Sequence, residues 1–176
     1  MKNKLFYLLL IPLFSIAFHS CSDDNKESHA EWKKVNEAYI EQIKLKLEGS
    51  NPEYFEVFDE GGPGIVYCKV IDSTECKTCK PPIYTSKVNV RYKGRLIKDK
   101  FTVRDEPFDD SSERIATFAV SGVVKGFSVA LHNMLPGDKW EVVIPWYLGY
   151  GASGSSAIPP YSTLIFDLEL VSISEY

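Results

Sequence analysis

The sequence has no surplus of basic residues. Lysine and arginine number 20 against 24 aspartates and glutamates, which gives a formal net charge of −4 over 176 residues. A protein that binds a phosphate backbone needs clustered positive charge, so nucleic acid is not expected as a partner. Hydrophobic residues make up 44% and charged residues 25%, which is typical of a globular domain with its own core.

The signatures of covalent and phosphoryl-transfer catalysis are also missing. We find no set of nucleophile, histidine and acid, no glycine-rich phosphate loop and no paired-carboxylate signature. The small-residue segment at 151–156 does not lie between a strand and a helix, which a phosphate loop requires. The sequence therefore predicts neither a metal nor a cofactor.

Long hydrophobic runs are absent except at residues 5–18. This run is interrupted by Pro12, follows Lys2 and Lys4, and is too short to cross a bilayer stably, so it is typical of a signal-peptide core. The FHSC segment that follows resembles the cleavage box of bacterial lipoproteins. We therefore predict a lipoprotein signal peptide at 1–20 and lipidation of Cys21, with a plain secretory signal as the alternative. The expected location is the cell envelope, lipid-anchored at the periplasmic face of the outer membrane or at the cell surface.

Residues 21–58 are predicted to form a polar tether and an amphipathic helix. Ser28 and Glu31 have capping-box spacing, and Gly49 is a helix-stop signal. Apolar residues recur at intervals of three and four at Trp32, Val35, Tyr39, Ile43 and Leu47. We expect this face to pack on the chain's own domain; the alternative is a helix that pairs two copies of the chain.

Short strands and turns dominate the sequence after Tyr54. The expected strands are 65–71, 87–97, 117–120, 139–146 and 162–173, with a charged loop at 98–114 and a helix at 123–134. Many strands around one short helix indicate an α+β fold with an antiparallel sheet.

Six segments in this order resemble the FKBP-type peptidyl-prolyl cis-trans isomerases. They are VNVRYKGRLI, FDDSS, TFAVSGVVKGF, MLPGDKWEVVIP, YLGYGASG and IPPYSTLIFDLELV. The resemblance implies a twisted antiparallel sheet wrapped over one short helix, with the predicted N-terminal helix added to it. It places the isomerase domain at 59–176.

The resemblance also implies an apolar pocket with specific residues. Tyr92, Asp109 and Tyr150 match the catalytic positions of the family. The implied substrate-binding residues are Phe108, Val123, Val124, Phe127, Ile158 and Phe166. Phe127 stands where most members have a tryptophan, and Ala116 stands where some members have a further phenylalanine.

Such a pocket would act on Xaa-Pro segments of exported client proteins. Rotation about the prolyl bond faces a barrier of about 18–20 kcal/mol, and it needs no nucleophile or metal. A pocket that binds the twisted amide better than either planar form is sufficient. The alternative function is a non-enzymatic chaperone or adaptor domain that binds Pro-containing segments.

Three cysteines remain once Cys21 is assigned to the lipid. Cys76 and Cys79 form a CKTC motif, which is compatible with redox chemistry, with zinc or with a structural disulfide. The KPP that follows is a poor helix start for a redox motif. Zinc would need a fourth ligand, and His132, on the predicted helix, is the only histidine late in the sequence. We expect a disulfide between Cys68 and one of the pair, as suits an oxidising compartment.

Overall fold

The computed structural model describes residues 22–76 and 78–175, with side chains from residue 28 onward. The predicted signal peptide and the lipidation of Cys21 lie outside these residues. Within them, no helix is both long and apolar enough to span a membrane.

The described chain contains two α-helices and seven strands. The helices are α1 (Ser22–Leu45) and α2 (Lys125–Leu131). The strands are β1 (Phe55–Phe58), β2 (Ile65–Asp72), β3 (Lys87–Ile97), β4 (Val103–Asp110), β5 (Ala116–Ala119), β6 (Lys139–Ile144) and β7 (Leu164–Glu175). Single 3₁₀ turns occur at Val120–Gly122 and Trp146–Leu148.

All seven strands join one antiparallel sheet in the order β1-β2-β6-β7-β3-β4, with β5 also paired to β3. β5 pairs with the first half of β3 and β4 with its second half. The predicted α+β class with an antiparallel sheet over a short helix is confirmed. The sheet begins at Phe55, ahead of residue 59.

The two faces of the sheet are covered by different helices. On β6, Val142 and Ile144 belong to the core that contains α2, whereas Val143 between them belongs to the core that contains α1. Side chains alternate across a strand, so a strand that is covered on both faces is buried throughout. α2 lies very close to the sheet, because a Cβ built on Gly126 would come within 2.3 Å of Ile144 Cγ2.

α1 packs on the chain's own sheet, as expected. Tyr39, Ile40 and Ile43 are buried against Val143 and Ile165. The predicted start of the helix is wrong: the helix already includes Ser22, so Ser28 lies inside it and is not an N-cap.

The prediction of a charged loop at 98–114 is also wrong, because much of this segment forms β4. This strand lies at the edge of the sheet and exposes most of its side chains, so it shows no alternation of polar and apolar residues. Its pairing with β3 defines it as a strand. The central helix is shorter than the predicted 123–134, because Val123 and Val124 are extended residues before α2.

The expected disulfide from Cys68 is wrong. Cys76 and Cys79 are bonded to each other, and Cys68 is a free thiol. Cys68 lies within β2, opposite Val142 of β6, and its side chain is buried in the α2 core. Burial raises the pKa of this thiol well above its ordinary value. The CKTC motif lies beyond the end of the strand, so its two sulfurs pair locally.

Candidate functional site

Tyr92 lies at the centre of the candidate site. It is one of the alternate residues of β3, with Val88 and Val90, that face α2. Its hydroxyl donates a hydrogen bond of 2.6 Å to Asp109 Oδ2 on β4. Asp109 is itself an exposed residue, so this bond joins the buried end of the site to its rim.

Three phenylalanine rings pack with Tyr92, either directly or through one another. Phe127 of α2 and Phe166 of β7 meet edge to face with 5.0 Å between their centroids. Tyr92 lies 6.0 Å from Phe127 and 6.1 Å from Phe166, and Phe108 lies 5.6 Å from Phe166. Edge-to-face pairs at these distances are the preferred arrangement of aromatic side chains. The floor of the site is therefore aromatic and well packed.

The substrate-binding residues predicted from the sequence come together in one apolar cluster. Phe127, Ile158 and Phe166 are buried in it. Phe108, Val123 and Val124 are partly buried and pack against it. The predicted Tyr150 lies on the loop between β6 and β7 and is 41% exposed.

Two residues of the site were missed by sequence reasoning. Phe118 of β5 packs 5.9 Å from Tyr92, and Ser111 is buried beside the same tyrosine. Ser111 Oγ accepts a hydrogen bond from Tyr92 N at 3.2 Å, and Ser111 N donates to Tyr92 O at 2.8 Å. The strand TFAV did carry a signal for Phe118, because a residue two positions from Ala116 lies on the same face.

Gly94 makes room for two of the aromatic rings. A Cβ at this position would lie 2.6 Å from Phe108 Cζ and 2.7 Å from Phe166 Cε1. Both distances are far shorter than a carbon–carbon contact of about 3.5–4.0 Å. Gly94, the glycine of the VNVRYKGRLI segment, therefore leaves the space that the Phe108 and Phe166 rings occupy.

The electrostatics of the site keep Tyr92 protonated. Burial is the largest cause that raises the pKa of this phenol, followed by its hydrogen bond to the Asp109 carboxylate. The nearby Arg114 acts in the opposite direction and is a smaller influence. At neutral pH the phenol is thus a hydrogen-bond donor, and one oxygen of Asp109 is held as its acceptor.

The loop at 145–163, which joins β6 to β7, folds back on itself beside the cluster. Gly151 and Gly154 have positive φ angles of 67° and 66°. At Gly154 a Cβ would come within 2.4 Å of Ile158 O, so only glycine fits there. Ser155 N donates to Ile158 O at 2.8 Å, and Tyr161 N donates to Gly151 O at 2.9 Å. These bonds fix Ile158 at the edge of the aromatic floor.

α1 holds the end of this loop from the other side of the sheet. Trp32 Nε1 donates to Ser162 Oγ at 3.0 Å, and Ser162 Oγ donates to Pro159 O at 2.8 Å. The buried Asn36 accepts a hydrogen bond of 2.6 Å from Thr163 N through its Oδ1. The N-terminal helix therefore contacts the segment that leads directly from Ile158 into β7.

Comparison with known proteins identifies the family. The sequence profile described as FKBP-type peptidyl-prolyl cis-trans isomerase matches residues 79–171, which is more than half of the chain. The chain is 43% identical to the macrophage infectivity potentiator of Trypanosoma cruzi over 184 residues, covering 99% of this chain and 87% of that protein. The chain belongs to the family of FKBP-type peptidyl-prolyl cis-trans isomerases, and the resemblance noted in the sequence is confirmed.

The chain spans less than half the length of another curated relative. The FKBP-type 22 kDa peptidyl-prolyl cis-trans isomerase of Escherichia coli is 43% identical over 97 residues, which are 52% of this chain and 43% of that protein. Among solved structures, a peptidyl-prolyl cis-trans isomerase of Pseudomonas syringae pv. tomato superposes with a TM-score of 0.65 and 27% identity. That match covers 85% of this chain and 96% of the solved one.

Proposed function

We propose that this protein accelerates cis-trans rotation of Xaa-Pro bonds at the cluster around Tyr92. The observation that carries the proposal is the Tyr92–Asp109 hydrogen bond at the edge of a packed aromatic floor. An apolar aromatic surface suits a proline ring, and a dry environment disfavours the polar resonance form of the planar amide. Tighter binding of the twisted amide lowers the rotation barrier without covalent chemistry.

We assign roles to the residues within this proposal. Asp109 orients the Tyr92 phenol and polarises the amide as it twists, and the Tyr150 hydroxyl donates to a substrate carbonyl. The substrate-binding residues are Phe108, Val123, Val124, Phe127, Ile158 and Phe166. Phe127 and Phe166 form the floor beneath the proline ring, and the others form the wall.

The test is an NMR exchange or protease-coupled assay on an Xaa-Pro peptide. Combining Asp109→Ala with Phe127→Ala is expected to abolish the acceleration, because the acceptor of the Tyr92 proton and half of the floor are lost. Tyr147→Phe, at an exposed residue next to the aromatic Trp146, is the matched control and should leave the rate unchanged. Peptide binding without acceleration by the folded wild-type protein would instead support the alternative of a chaperone or adaptor domain.

We also propose that the protein is lipid-anchored in the cell envelope through Cys21. The support is the apolar run at 5–18 followed by FHSC in the sequence. Cys21→Ala is expected to move the protein from the membrane fraction to the soluble fraction. An unchanged distribution of the variant would contradict the anchor.

Pairing of two copies through α1 stays a proposal. Tyr39, Ile40 and Ile43 of α1 are already covered by the chain's own sheet, so a contact between copies would have to use other residues of the helix. Sedimentation velocity over a range of concentrations tests this, and a constant monomer mass would contradict it.

A further inference from the structure

Lys33 of α1 lies at the base of the loop that joins β6 to β7. Its ammonium group is 5.4 Å from the centroid of the Trp146 ring, at the start of this loop, and 5.5 Å from that of the Tyr161 ring, near its end. The two rings meet edge to face with 5.1 Å between their centroids. We refer to these three residues as the loop clamp. The hydrogen bonds of α1 with the loop reach its end, whereas the loop clamp joins the helix to both ends.

The loop clamp has the geometry of a cation–π interaction. A lysine ammonium within about 6 Å of a ring centroid is attracted by the negative face of the ring, and here one ammonium serves two rings. Lys33 also pairs with Glu37 at 3.5 Å. That ion pair stays within α1, so it is through the two rings that Lys33 can act on the loop.

Tyr161 needs support from its surroundings. Its φ of 60° lies in the left-handed region, which is costly for a bulky residue and persists only where neighbouring groups hold it. Trp146 and Lys33 pack on its ring, and its N–H donates a hydrogen bond of 2.9 Å to Gly151 O. Loss of the ammonium is therefore expected to loosen the loop at this residue.

The backbone connects the loop clamp to Tyr150. Trp146 O accepts a hydrogen bond of 2.9 Å from Gly151 N, so both aromatic residues of the clamp bond to Gly151, which directly follows Tyr150. The Tyr150 carbonyl accepts a further hydrogen bond of 3.1 Å from Gly154 N. Because the Tyr150 side chain is 41% exposed, the position of its hydroxyl depends on how this backbone is held.

We propose that Lys33 is a positioning residue for Tyr150. Its ammonium holds the Trp146 and Tyr161 rings together, and these residues hold Gly151, so that the Tyr150 hydroxyl is kept where it meets a carbonyl of the bound Xaa-Pro peptide. The inference rests on the proposed function, and it gives a helix on the opposite face of the sheet a role in substrate binding.

The expected effect is on binding and not on rotation. In the proposed function Tyr150 bonds a substrate carbonyl, and this bond is present whether the prolyl amide is planar or twisted. An interaction that is equal in the ground state and the transition state changes affinity without changing the rate of the bound substrate. Loss of the Lys33 ammonium should therefore weaken peptide binding and leave the rotation rate of the bound peptide unchanged.

The experiment compares Lys33→Gln with Lys34→Gln. Both substitutions remove one positive charge from α1 and have similar helix propensity, but Lys34 is exposed. NMR line-shape analysis of an Xaa-Pro peptide titrated with the full protein gives the Kd and the rotation rate of the bound peptide separately. Lys33→Gln is expected to raise the Kd about threefold at an unchanged rotation rate. Lys34→Gln should bind like the wild type, and so should Lys33→Arg, because arginine keeps a cation over the rings.

A second comparison shows whether Lys33 acts through Tyr150. Tyr150→Phe removes the hydroxyl and is expected to raise the Kd about fivefold. Adding Lys33→Gln to Tyr150→Phe should raise the Kd no further, because there is no hydroxyl left to position. A residue that merely stabilises the fold would give its threefold effect in both backgrounds.

Amide hydrogen exchange measures the same role without a peptide. Lys33→Gln is expected to speed the exchange of the Gly151 and Tyr161 amides about threefold, because their hydrogen bonds open more often. Amides in the middle of β6 should exchange as in the wild type, which shows that the fold is intact. Lys34→Gln should leave both groups of amides unchanged.

Four results would overturn the proposal. They are equal Kd values for Lys33→Gln and the wild type, an equal loss of affinity in Lys34→Gln, an undiminished effect of Lys33→Gln in the Tyr150→Phe background, and unchanged exchange at Gly151 and Tyr161. Failure of the proposed function gives different results in the wild-type protein. Peptide binding without acceleration would overturn the isomerase function alone, whereas absence of peptide binding would overturn both proposals.

Discussion

Trp32 and Ser162 are separated by 130 positions in the chain, yet the indole N–H of Trp32 donates a hydrogen bond to Ser162 Oγ. Ser162 in turn bonds Pro159 O, next to Ile158 at the edge of the aromatic floor. α1 is therefore more than a spacer, because it holds the loop that carries part of the proposed substrate wall.

Asn36→Ala tests this role of α1. The variant leaves the buried Thr163 N–H without its acceptor, so the free energy of unfolding should fall by about 1–3 kcal/mol in urea denaturation. The NMR signals of the Ile158 methyl groups should shift as the loop moves. Glu37→Ala, at a half-exposed position of the same helix, should change stability by less than about 0.5 kcal/mol. Equal effects of the two variants would show that Asn36 does not hold the loop.

Gly94→Ala is expected to disturb the aromatic floor. The added methyl group would overlap Phe108 and Phe166, so both rings must move, and overpacking of this kind costs about 1–3 kcal/mol of stability. Binding of an Xaa-Pro peptide, measured by titration calorimetry, should weaken as well. Gly122→Ala is the control, since its nearest neighbour would be Ala119 Cβ at 3.9 Å. Normal peptide binding by Gly94→Ala would mean that these rings do not contribute to the site.

The protein should lose stability at high pH because of its buried tyrosines. Burial, and after it the nearby Glu141, raises the pKa of Tyr39 to about 12. Burial is also the main cause that raises the pKa of Tyr54 and of Tyr92. A raised pKa in the folded state adds stability below the unfolded pKa of about 10, and this stability is lost as the pH rises from there through the folded value.

Denaturant unfolding measured on either side of about pH 10 tests this dependence. The free energy of unfolding should begin to fall above about pH 8.5, because the buried Cys68 thiol ionises only in the unfolded chain, and it should fall more steeply above about pH 10 because of the tyrosines. Phenolate absorbance of the folded protein should show that these buried tyrosines ionise only above the ordinary tyrosine pKa of about 10. A flat stability profile through this range would contradict the prediction.

Reduction of the Cys76–Cys79 disulfide should have a modest effect. The bond closes a loop of only a few residues, and the chain-entropy model gives about 2 kcal/mol for so short a loop. Peptide mapping after alkylation of the unfolded, unreduced protein should find Cys68 modified and the other two linked. A link that includes Cys68, or a loss of stability of about 5 kcal/mol, would contradict this arrangement.

The central part of the site could be predicted from the sequence because its residues lie in short motifs with fixed spacing. Tyr92, Phe108 and Phe127 each belong to such a motif, and the structure brings them together. Ser111 was missed because its contribution depends on how the end of β4 lies beside β3. Alternation within TFAV marks the face of Phe118, but only the pairing of β5 with β3 brings its ring to Tyr92. Local periodicity indicates which face of a strand is buried, but it does not show which strands pair when they are distant in the sequence.

The errors in the fold have the same physical origin. β4 has no alternating pattern, because an edge strand with mostly exposed side chains needs only backbone pairing to form. Both faces of β2 are covered, so its sequence does not show which side chains face α2. The burial of Cys68 was therefore not predicted, and its thiol was expected to be available for a disulfide. Both errors concern tertiary contacts that override local signals.

β7 occupies the middle of the sheet, between β6 and β3. Without it, β1, β2 and β6 would form one group of strands, and β3, β4 and β5 would form another, with no ladder between them. During synthesis, the sheet can become continuous only once residues 164–169 of β7, which pair with both β6 and β3, have left the ribosome. A chain whose synthesis stops before β7 is therefore expected to lack a continuous sheet, however many of the other six strands it contains.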